Sequence, residues 1–296
     1  MSDFLQQHYS INSFKNSDNW VLLNRIESSI KEKIEKYGIP LSKWNVSINY
    51  GIKTGYNDAF IIDEATKNTL ITSDPKSAEL IRPILRGKDI KRYSYNFANL
   101  YLICTFPSKH YNIDDYPAIK KYLLSFDKRR LAQTGEKNID GIKGFNARKK
   151  TGNKWFETQD QINYSDDFYK PKIMYNDINT RLSFCCVEQG IFCNNTVYFL
   201  QPNEADLKYF LAILNSRIIN WYYKTLSVQL GSNAVRMFSI YVKKIPIPQI
   251  NMRERMEISD LVNKELSNEN MDDIIDNKIY QLFHLSDYEI EYINHI

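Results

Sequence analysis

The sequence predicts an α+β fold with a mixed or antiparallel sheet core, flanking helices and a helical C-terminal portion. The evidence for the sheet is a set of strand-like runs separated by turns rich in Asn, Asp and Gly, at residues 172–175, 182–187 and 196–200. An amphipathic run over residues 206–226 predicts a long helix, and helical periodicity returns from residue 252 onward. In this last segment Ser286 and Glu289 have the spacing of a capping box.

The N-terminal part is predicted to be a polar tail or linker over residues 1–17, followed by a helix over residues 18–37. Apolar residues recur every four positions from Leu22 to Ile34, which places them on one helix face. Gly38 then ends the helix. With 296 residues the chain can bury a sizeable core, as one large domain or two smaller ones.

The charges are unevenly distributed, although the formal net charge is only +4. Residues 120–154 contain eleven Lys and Arg against three Asp and Glu, whereas residues 251–296 contain four against eleven. A basic middle and an acidic tail indicate one surface that faces a polyanion and a helical face turned elsewhere. The sequence has neither an N-terminal apolar signal segment nor a run of about eighteen apolar residues, so we expect no secretion and no membrane span.

The cysteines lack CxxC spacing and occur at Cys104, Cys185, Cys186 and Cys193. This pattern favours reduced structural thiols in a cytoplasm over metal or redox chemistry. Because Cys185 and Cys186 are adjacent in a strand-like run, we expect them to point to opposite faces.

The glycine loop, defined as residues 50–57, opens the stretch around which the rest of the chain is organised. Gly51 and Gly55 bracket Lys53 and Thr54. Glycine permits positive φ and a close approach of the backbone to a ligand. The sequence therefore predicts either a ligand-contacting loop or a tight turn that folding requires.

Two apolar runs follow the glycine loop, at residues 59–62 and 70–72, and the first is typical of a strand. Asp74 and Pro75 predict the N-cap and first residue of a short helix. The stretch ends in the basic strip, defined as residues 81–93 (IRPILRGKDIKRY), where five Lys and Arg accompany one acid. On spacing alone such a run is most often a solvated face.

The pattern GIKTGYNDAFIID followed by DPKSAELIRPILRGKDIKRY resembles the TaqI-like C-terminal specificity domain, the target-recognition module of adenine-specific DNA methyltransferases. The segments YPAIKKYL, PKIMYNDI, ILNSRIINWYY and KKIPIP match later landmarks of that family in order, so the resemblance covers roughly residues 15–295. One departure is Asp58, where the family more often carries Glu, and the charge is kept. The resemblance implies a DNA target-recognition domain over residues 18–250, with a helical portion over residues 251–296 packed on it. Residues 1–17 lie where the family joins its methyltransferase domain.

The basic loop, defined as residues 133–154, contains four glycines and a dense set of Lys and Arg, and it leads to Trp155 and Phe156. Long loops of this kind are usually functional or disordered. We expect mobility in the free protein and order on DNA. Trp155 and Phe156 are expected to anchor the loop in the core rather than to stack on a base.

Catalytic motifs are missing from the sequence. It contains neither a glycine-rich cofactor loop nor the Asp/Asn-Pro-Pro-Tyr/Phe loop of adenine methyltransferases, and no GxSxG, GxxxxGKS or metal-binding His spacing. We therefore expect this chain alone to be no enzyme and to hold no metal or cofactor. The resemblance implies that S-adenosylmethionine binds in the methyltransferase domain of a parent protein, which is an adenine-specific DNA methyltransferase with or without endonuclease activity.

Candidate DNA-binding residues are cations and amides in loops, because Lys and Arg neutralise phosphates whereas Arg, Asn and Gln read base edges. For phosphate contact we expect Lys88, Lys91, Arg92, Lys143, Lys149 and Lys150. For base reading we expect Asn146, Arg148, Asn179, Arg181 and Arg236. The set is completed by Lys53, Thr54, Tyr56, Asn57, Arg86 and Arg130. For any one of them, an exposed solubilising side chain is the alternative.

The function that we expect is sequence-specific recognition of duplex DNA within a type IIG-like restriction–modification adenine-N6 methyltransferase. The domain would present the target adenine to a methyltransferase domain or subunit that flips the base. The alternative is a protein–protein assembly module of a methyltransferase or phage-defence complex with only nonspecific DNA contact, and a free-standing enzyme is a third possibility. The expected partners are double-stranded DNA and the methyltransferase domain, in a bacterial or archaeal cytoplasm. The acidic tail and the helix over residues 18–37 are the expected contacts with the parent protein.

Overall fold

The computed structural model describes residues 23–227, 229–231 and 234–296. The predicted tail and the predicted helix start at Asp18 lie outside this part. Residues 23 and 24 are not helical, so a continuous helix over residues 18–37 is wrong. The helix that ends at Tyr37 begins at Arg25, because Asn24 and Glu27 form a capping box in which each side chain accepts the other's backbone N–H.

The helices of the described part alternate with short connecting segments. They are α1 (Arg25–Tyr37), α2 (Asn57–Phe60), α3 (Glu64–Ser73), α4 (Pro117–Leu123), α5 (Lys128–Leu131), α6 (Leu207–Asn215), α7 (Arg217–Leu226), α8 (Ser239–Val242), α9 (Met252–Leu266), α10 (Asp272–Leu282) and α11 (Asp287–Asn294). A 3₁₀ helix over Pro75–Glu79 is capped by Asp74, as predicted. The capping box of the last helix is also confirmed.

The strands are short and come mostly from the first two thirds of the chain. They are β1 (Gly38–Pro40), β2 (Ser47–Tyr50), β3 (Ile61–Asp63), β4 (Ile81–Leu85), β5 (Leu100–Ile103), β6 (Lys172–Asn176), β7 (Ile178–Asn179), β8 (Phe184–Val187), β9 (Phe192–Cys193), β10 (Val197–Gln201), β11 (Gln229–Leu230), β12 (Ala234–Arg236) and β13 (Pro246–Pro248). Mixed strands and helices confirm the predicted α+β class.

The central sheet has the strand order β2-β10-β6-β8 and is antiparallel throughout. It separates two hydrophobic cores, because successive side chains of a strand point to opposite faces. In β6, Met174 faces one core and Tyr175 faces the other. In β8, Cys185 and Cys186 divide in the same way, as predicted. Burial on both faces explains why these strands have nearly continuous apolar sequences.

The first core is formed by helices α1, α6, α7 and the C-terminal helices, and we call it the helical core. Glu289 of α11 accepts hydrogen bonds from Ser29 and Lys33 of α1, and Tyr222 of α7 donates to Glu35. One side of α1 is therefore occupied within the chain. This leaves less of that helix for the parent protein than the sequence predicted.

The second core lies beneath the glycine loop and the basic loop. It is built on the sheet β3-β5-β4-β9, in which only β4 and β9 are parallel. The strand predicted over residues 59–62 is extended only in its second half, because Ala59 and Phe60 belong to helix α2 and β3 begins at Ile61. The apolar run at residues 70–72 belongs to helix α3. A four-residue apolar run carries too little periodicity to separate a helical turn from a strand.

The predicted long helix over residues 206–226 is divided in two. Ser216 has an extended backbone and its hydroxyl accepts a hydrogen bond from the Ile219 N–H, so it caps α7 directly after α6 ends. Asn215, buried next to this break, donates to the Phe184 carbonyl and accepts from the Phe184 N–H. Asn215, at the break between α6 and α7, therefore joins these helices to β8 at the edge of the central sheet.

Candidate nucleic-acid interface

The glycine loop is held by backbone contacts that leave two of its polar side chains exposed. A Cβ atom at Gly51 would lie 1.9 Å from the Asn194 carbonyl oxygen, so only glycine fits there. Thr54 is fully buried, and its hydroxyl donates to Asn57 Oδ1 at 2.7 Å and accepts from the Tyr56 N–H. Thr54 thus shapes the turn, while Lys53 and Asn57 remain exposed.

Arg148 joins the glycine loop to the basic loop from the inside. Its side chain is only 3% exposed. The guanidinium donates to the carbonyls of Thr54, Leu131, Trp155 and Glu157, at 2.6–2.8 Å. Burial lowers the pKa of Arg148 to about 10, and Glu157 opposes this shift. Four hydrogen bonds of the guanidinium are made inside the protein, which favours a supporting role for Arg148 over the expected base reading.

Arg130 lies at the junction of the same loops, in contact with two aromatic rings. Its guanidinium carbon is 4.2 Å from the ring centroid of Tyr56 and 5.6 Å from that of Phe145. Such stacking orients a guanidinium through cation–π attraction. Its Nε is buried and has no hydrogen-bond partner among the described residues. The structure therefore brings together two predicted site residues, Arg130 and Tyr56.

The basic loop presents its lysines to solvent. Lys143, Lys149 and Lys150 are exposed, and none of them forms an ion pair within the described part of the chain. Asn146 is half-buried, and its Oδ1 accepts from the Asn138 N–H at 2.9 Å, so only its amide nitrogen is left for a ligand. Phe156 is buried, as expected for an anchor.

Backbone hydrogen bonds close the basic loop into a hairpin, which does not fit the predicted mobility. Ala147 donates to the Glu136 carbonyl, and Arg148 donates to the Ala132 carbonyl, both at 3.0 Å. At the base of the hairpin, the Gln133 side chain donates to three backbone carbonyls. The glycine content and charge of the sequence do not reveal these internal contacts.

A cavity of about 360 Å³ lies beside β7, and one predicted site residue, Lys88, is at its wall. Lys88, Asp177, Ile178 and Thr196 are among the residues that line it. Next to it, Arg236 Nη2 lies 3.2 Å from Asp177 Oδ2, and this pair leaves 39% of the Arg236 side chain exposed. This single contact places the guanidinium beside the carboxylate, without the two parallel hydrogen bonds of a bidentate pair.

The polar groups around this cavity are incompletely satisfied. Oδ1 of Asn176, Oδ1 of Asp177 and Nε of Arg236 are buried without hydrogen-bond partners among the described residues. Asn179 is also buried, and its amide donates to the Asn176 carbonyl, which favours a structural role over the expected base reading. Arg181 is exposed, in agreement with a contact role.

One turn connects the glycine loop with the cavity beside β7. In the turn over residues 194–196, the Asn195 N–H donates to the Ile52 carbonyl within the glycine loop. The Thr196 carbonyl accepts from the Asp177 N–H, and the Thr196 hydroxyl accepts from the Gly87 N–H. The glycine loop and the cavity therefore share a single rigid support. Asp177 and Thr196 were missed in the sequence, where they indicate only turns.

The basic strip contributes fewer free cations than its composition predicts. Arg86 donates twice to the Asp89 carboxylate, at 2.9 Å, and Asp89 also accepts the Arg86 N–H. Arg92 pairs with Asp272 of α10 and donates to the Asn215 carbonyl. These internal partners favour a structural role for Arg86 and Arg92 over the expected DNA contact. Lys88 and Lys91 are exposed and unpaired within the described residues.

Over the described ranges, no helix is long and apolar enough to cross a membrane. Within those ranges, no group of three or more His, Cys, Asp or Glu side chains could hold a metal ion. All four cysteines are free thiols, three of them buried.

An α+β scaffold that displays unpaired cations on neighbouring loops has the features expected of a polyanion-binding module. Residues 82–247 match the model of the TaqI-like C-terminal specificity domain, which covers more than half of the chain. The chain belongs to this family. The resemblance identified from the sequence motifs is confirmed.

Relatives and solved structures agree with this assignment. The chain is 22% identical over 287 residues to type II methyltransferase M.BstVI of Geobacillus stearothermophilus, which covers 95% of this chain and 47% of that protein. It is 24% identical to type II methyltransferase M.XhoI of Xanthomonas vasicola, over 78% of this chain and 39% of that protein. The chain thus spans less than half the length of these relatives.

Two solved structures share the fold. The type IIL restriction-modification enzyme MmeI in complex with DNA has a TM-score of 0.51 and 14% identity, and the match covers 86% of this chain and 35% of that one. The type IIG restriction endonuclease BpuSI has a TM-score of 0.50 and 14% identity, over 81% of this chain and 28% of that one. At this identity the likeness concerns the fold alone.

Proposed function

We propose that the chain binds duplex DNA in a sequence-specific manner, as the specificity domain of a type IIG-like restriction–modification methyltransferase. The observation that carries the proposal is the pair of groups supported by the turn over residues 194–196. One group presents unpaired lysines and a stacked Arg130, and the other presents Arg236, held by Asp177 beside a cavity. Lysines of this kind neutralise phosphates, whereas an oriented arginine can donate to two acceptors of a guanine.

The remaining parts of the proposal concern a parent protein. In it, this domain would position a target adenine for a methyltransferase domain, which would bind S-adenosylmethionine and methylate N6 of the flipped base. Support comes from the names of the relatives, which are type II methyltransferases. A parent protein of this class would act in phage defence in a bacterial or archaeal cytoplasm.

The test begins with selection of a bound sequence from a random duplex library, because the recognised bases are unknown. Affinity is then measured by fluorescence anisotropy for the selected duplex and for a scrambled one at several salt concentrations. We expect the selected duplex to bind at least about a thousandfold more tightly, which is the lower end of the usual range for specific recognition. Equal affinities would overturn the proposal.

Arg236→Ala tests base recognition at one residue. If Arg236 reads a guanine, the variant should lose about 1–3 kcal/mol on the selected duplex and little on the scrambled one. The matched control is Arg253→Ala, since the Arg253 side chain is 90% exposed on the acidic helix α9. An equal loss on both duplexes would remove Arg236 from base recognition.

The alternative function is a protein–protein assembly module, and one observation favours it. Met252 and Met256 of helix α9 are 55% and 60% exposed, which is unusual for adjacent apolar side chains on one helix. In that case base substitutions in the DNA would leave affinity unchanged, whereas Met252→Ser with Met256→Ser would weaken binding to a separately produced methyltransferase domain. The two experiments therefore separate the functions.

A further inference from the structure

The tip of the basic loop, residues 138–145, is an unusually constrained turn. Asn138 and Asp140 have φ values of 51° and 55°, although neither is glycine, and Gly141 and Gly144 have φ values of 73° and 82°. Left-handed φ values are uncommon outside glycine, although Asn and Asp adopt them more readily than other residues. Four positive φ values within seven residues fix one sharp backbone path.

Contacts from both sides hold this path in place. The Ile139 N–H donates to the Phe145 carbonyl at 2.7 Å, and the Phe145 N–H donates to the Ile142 carbonyl at 3.1 Å. Asn138 Oδ1 accepts the Gly144 N–H at 3.0 Å. Beneath the turn, Ile139 is buried, and Asp140 forms an ion pair with Arg129 at 2.5 Å. The tip is therefore rigid before any ligand binds.

What this rigid tip displays is an apolar side chain. Ile142 is 56% exposed and lies between Gly141 and Gly144. A Cβ atom added at either glycine would have no other atom within 4 Å, so the surroundings of both are open. The same hairpin carries exposed lysines, namely Lys137, Lys143, Lys149, Lys150 and Lys154, and two exposed acids, Glu136 and Asp140. Cations therefore outnumber acids on the hairpin that displays Ile142, and this charge favours a polyanion as the ligand that covers it.

We propose that Ile142 is an apolar wedge that enters the stack of a bound DNA duplex at one base step. The proposal rests on the DNA-binding function proposed above and adds a residue that no charge pattern reveals. Isoleucine is one of the side chains that DNA-bending proteins insert between base pairs, where it unstacks a step while flanking cations hold the phosphates. The lysines would fix the depth and direction of the tip, and the preformed turn would avoid an ordering cost on binding.

The test places 2-aminopurine at each purine of the selected duplex in turn, because its fluorescence rises when a base loses its stacking neighbour. The full chain should raise the signal at one step. Ile142→Ser should abolish that rise and weaken binding by about fivefold to tenfold, as expected for the loss of one buried aliphatic side chain partly offset by unstacking. Ile142→Phe should retain the rise. The matched control is Ile274→Ser, an exposed isoleucine on the acidic helix α10, which should behave as the wild type.

A second arm replaces one base of the duplex with an abasic site, which supplies a gap that a wedge can fill without unstacking. The wild-type chain should bind this duplex more tightly than the intact one, and Ile142→Ser should gain little. A fluorescence rise that persists in Ile142→Ser, or no rise at any step with the wild type, overturns the wedge while leaving DNA recognition intact. If the wild type prefers no sequence, the proposed function fails, and the abasic duplex alone decides: equal affinity for intact and abasic DNA overturns the wedge.

Discussion

The basic strip over residues 81–93 and the basic loop over residues 133–154 are similar in composition, yet their cations serve different purposes. In the strip, Arg86 and Arg92 pair with Asp89 and Asp272. In the loop, the lysines are exposed and have no ion pairs among the described residues. The strip therefore uses much of its charge to hold elements of the fold together, and the loop keeps its charge for a ligand.

The difference follows residue type more closely than position. Arg148 lies in the loop, but like Arg86 and Arg92 it is occupied inside the protein. A guanidinium has five donors in a planar fork and can satisfy several carbonyls at once, whereas a lysine ammonium is a strongly hydrated point charge. In the strip and the loop, Arg86, Arg92 and Arg148 thus build the support, and the exposed lysines carry most of the free charge. Three experiments test this division of roles between arginines and lysines.

The largest effect is expected for Arg148→Ala. The substitution leaves the carbonyls of Thr54, Leu131, Trp155 and Glu157 without their buried donor, and such losses cost about 3–5 kcal/mol. Urea unfolding followed by circular dichroism measures the loss in free energy of unfolding. The neighbouring Lys149→Ala is the control and should change stability by less than about 0.5 kcal/mol. Similar stabilities of the two variants would contradict the inward role of Arg148.

The role of Arg148 is an example of a contact that the local sequence does not predict. Its charge and its neighbours Asn146 and Gly144 favour an exposed base reader, and no local signal reveals that four carbonyls from separate segments converge on it. Arg92 presents the same difficulty, because its partner Asp272 is 180 residues away. Contacts of this kind depend on tertiary structure, which a residue's own sequence neighbourhood does not encode.

Features with strong local causes were predicted well. The strands β6, β8 and β10 are bounded by turn residues, and Asp74 and Ser286 cap helices as their spacing indicates. The family was identified from motifs that extend along most of the chain. For the candidate site, the exposed lysines and Arg236 could be selected from the sequence, whereas Asp177 and Thr196 could not, since turn residues are too common to indicate a ligand cavity.

An intermediate effect is expected from the adjacent pair Arg92 and Lys91. Arg92→Ala removes an ion pair with Asp272 and a bond to the Asn215 carbonyl, which should cost about 2 kcal/mol of stability by loosening helix α10. It should leave the salt dependence of DNA binding unchanged. Lys91→Ala should do the reverse, because its side chain is exposed and unpaired within the described residues. Equal unfolding midpoints of Arg92→Ala and Lys91→Ala in urea would contradict the different roles of the two residues. A shallower salt slope for Arg92→Ala would contradict them as well.

The smallest effect is expected for single lysines of the basic loop, and it concerns the salt slope rather than stability. If the exposed cations neutralise roughly six to eight phosphates, counterion release gives a log–log slope of about −5 to −7 for binding against salt concentration. Lys149→Ala should make this slope shallower by about one unit and weaken selected and scrambled duplexes equally, because a phosphate contact carries no sequence information. Lys264→Ala is the matched control, since Lys264 is exposed but lies on the acidic helix α9. Anisotropy titrations at four or more salt concentrations measure the slopes. If Lys149→Ala and Lys264→Ala keep the wild-type slope alike, the basic loop does not follow the DNA backbone, and its unpaired charge requires another polyanion.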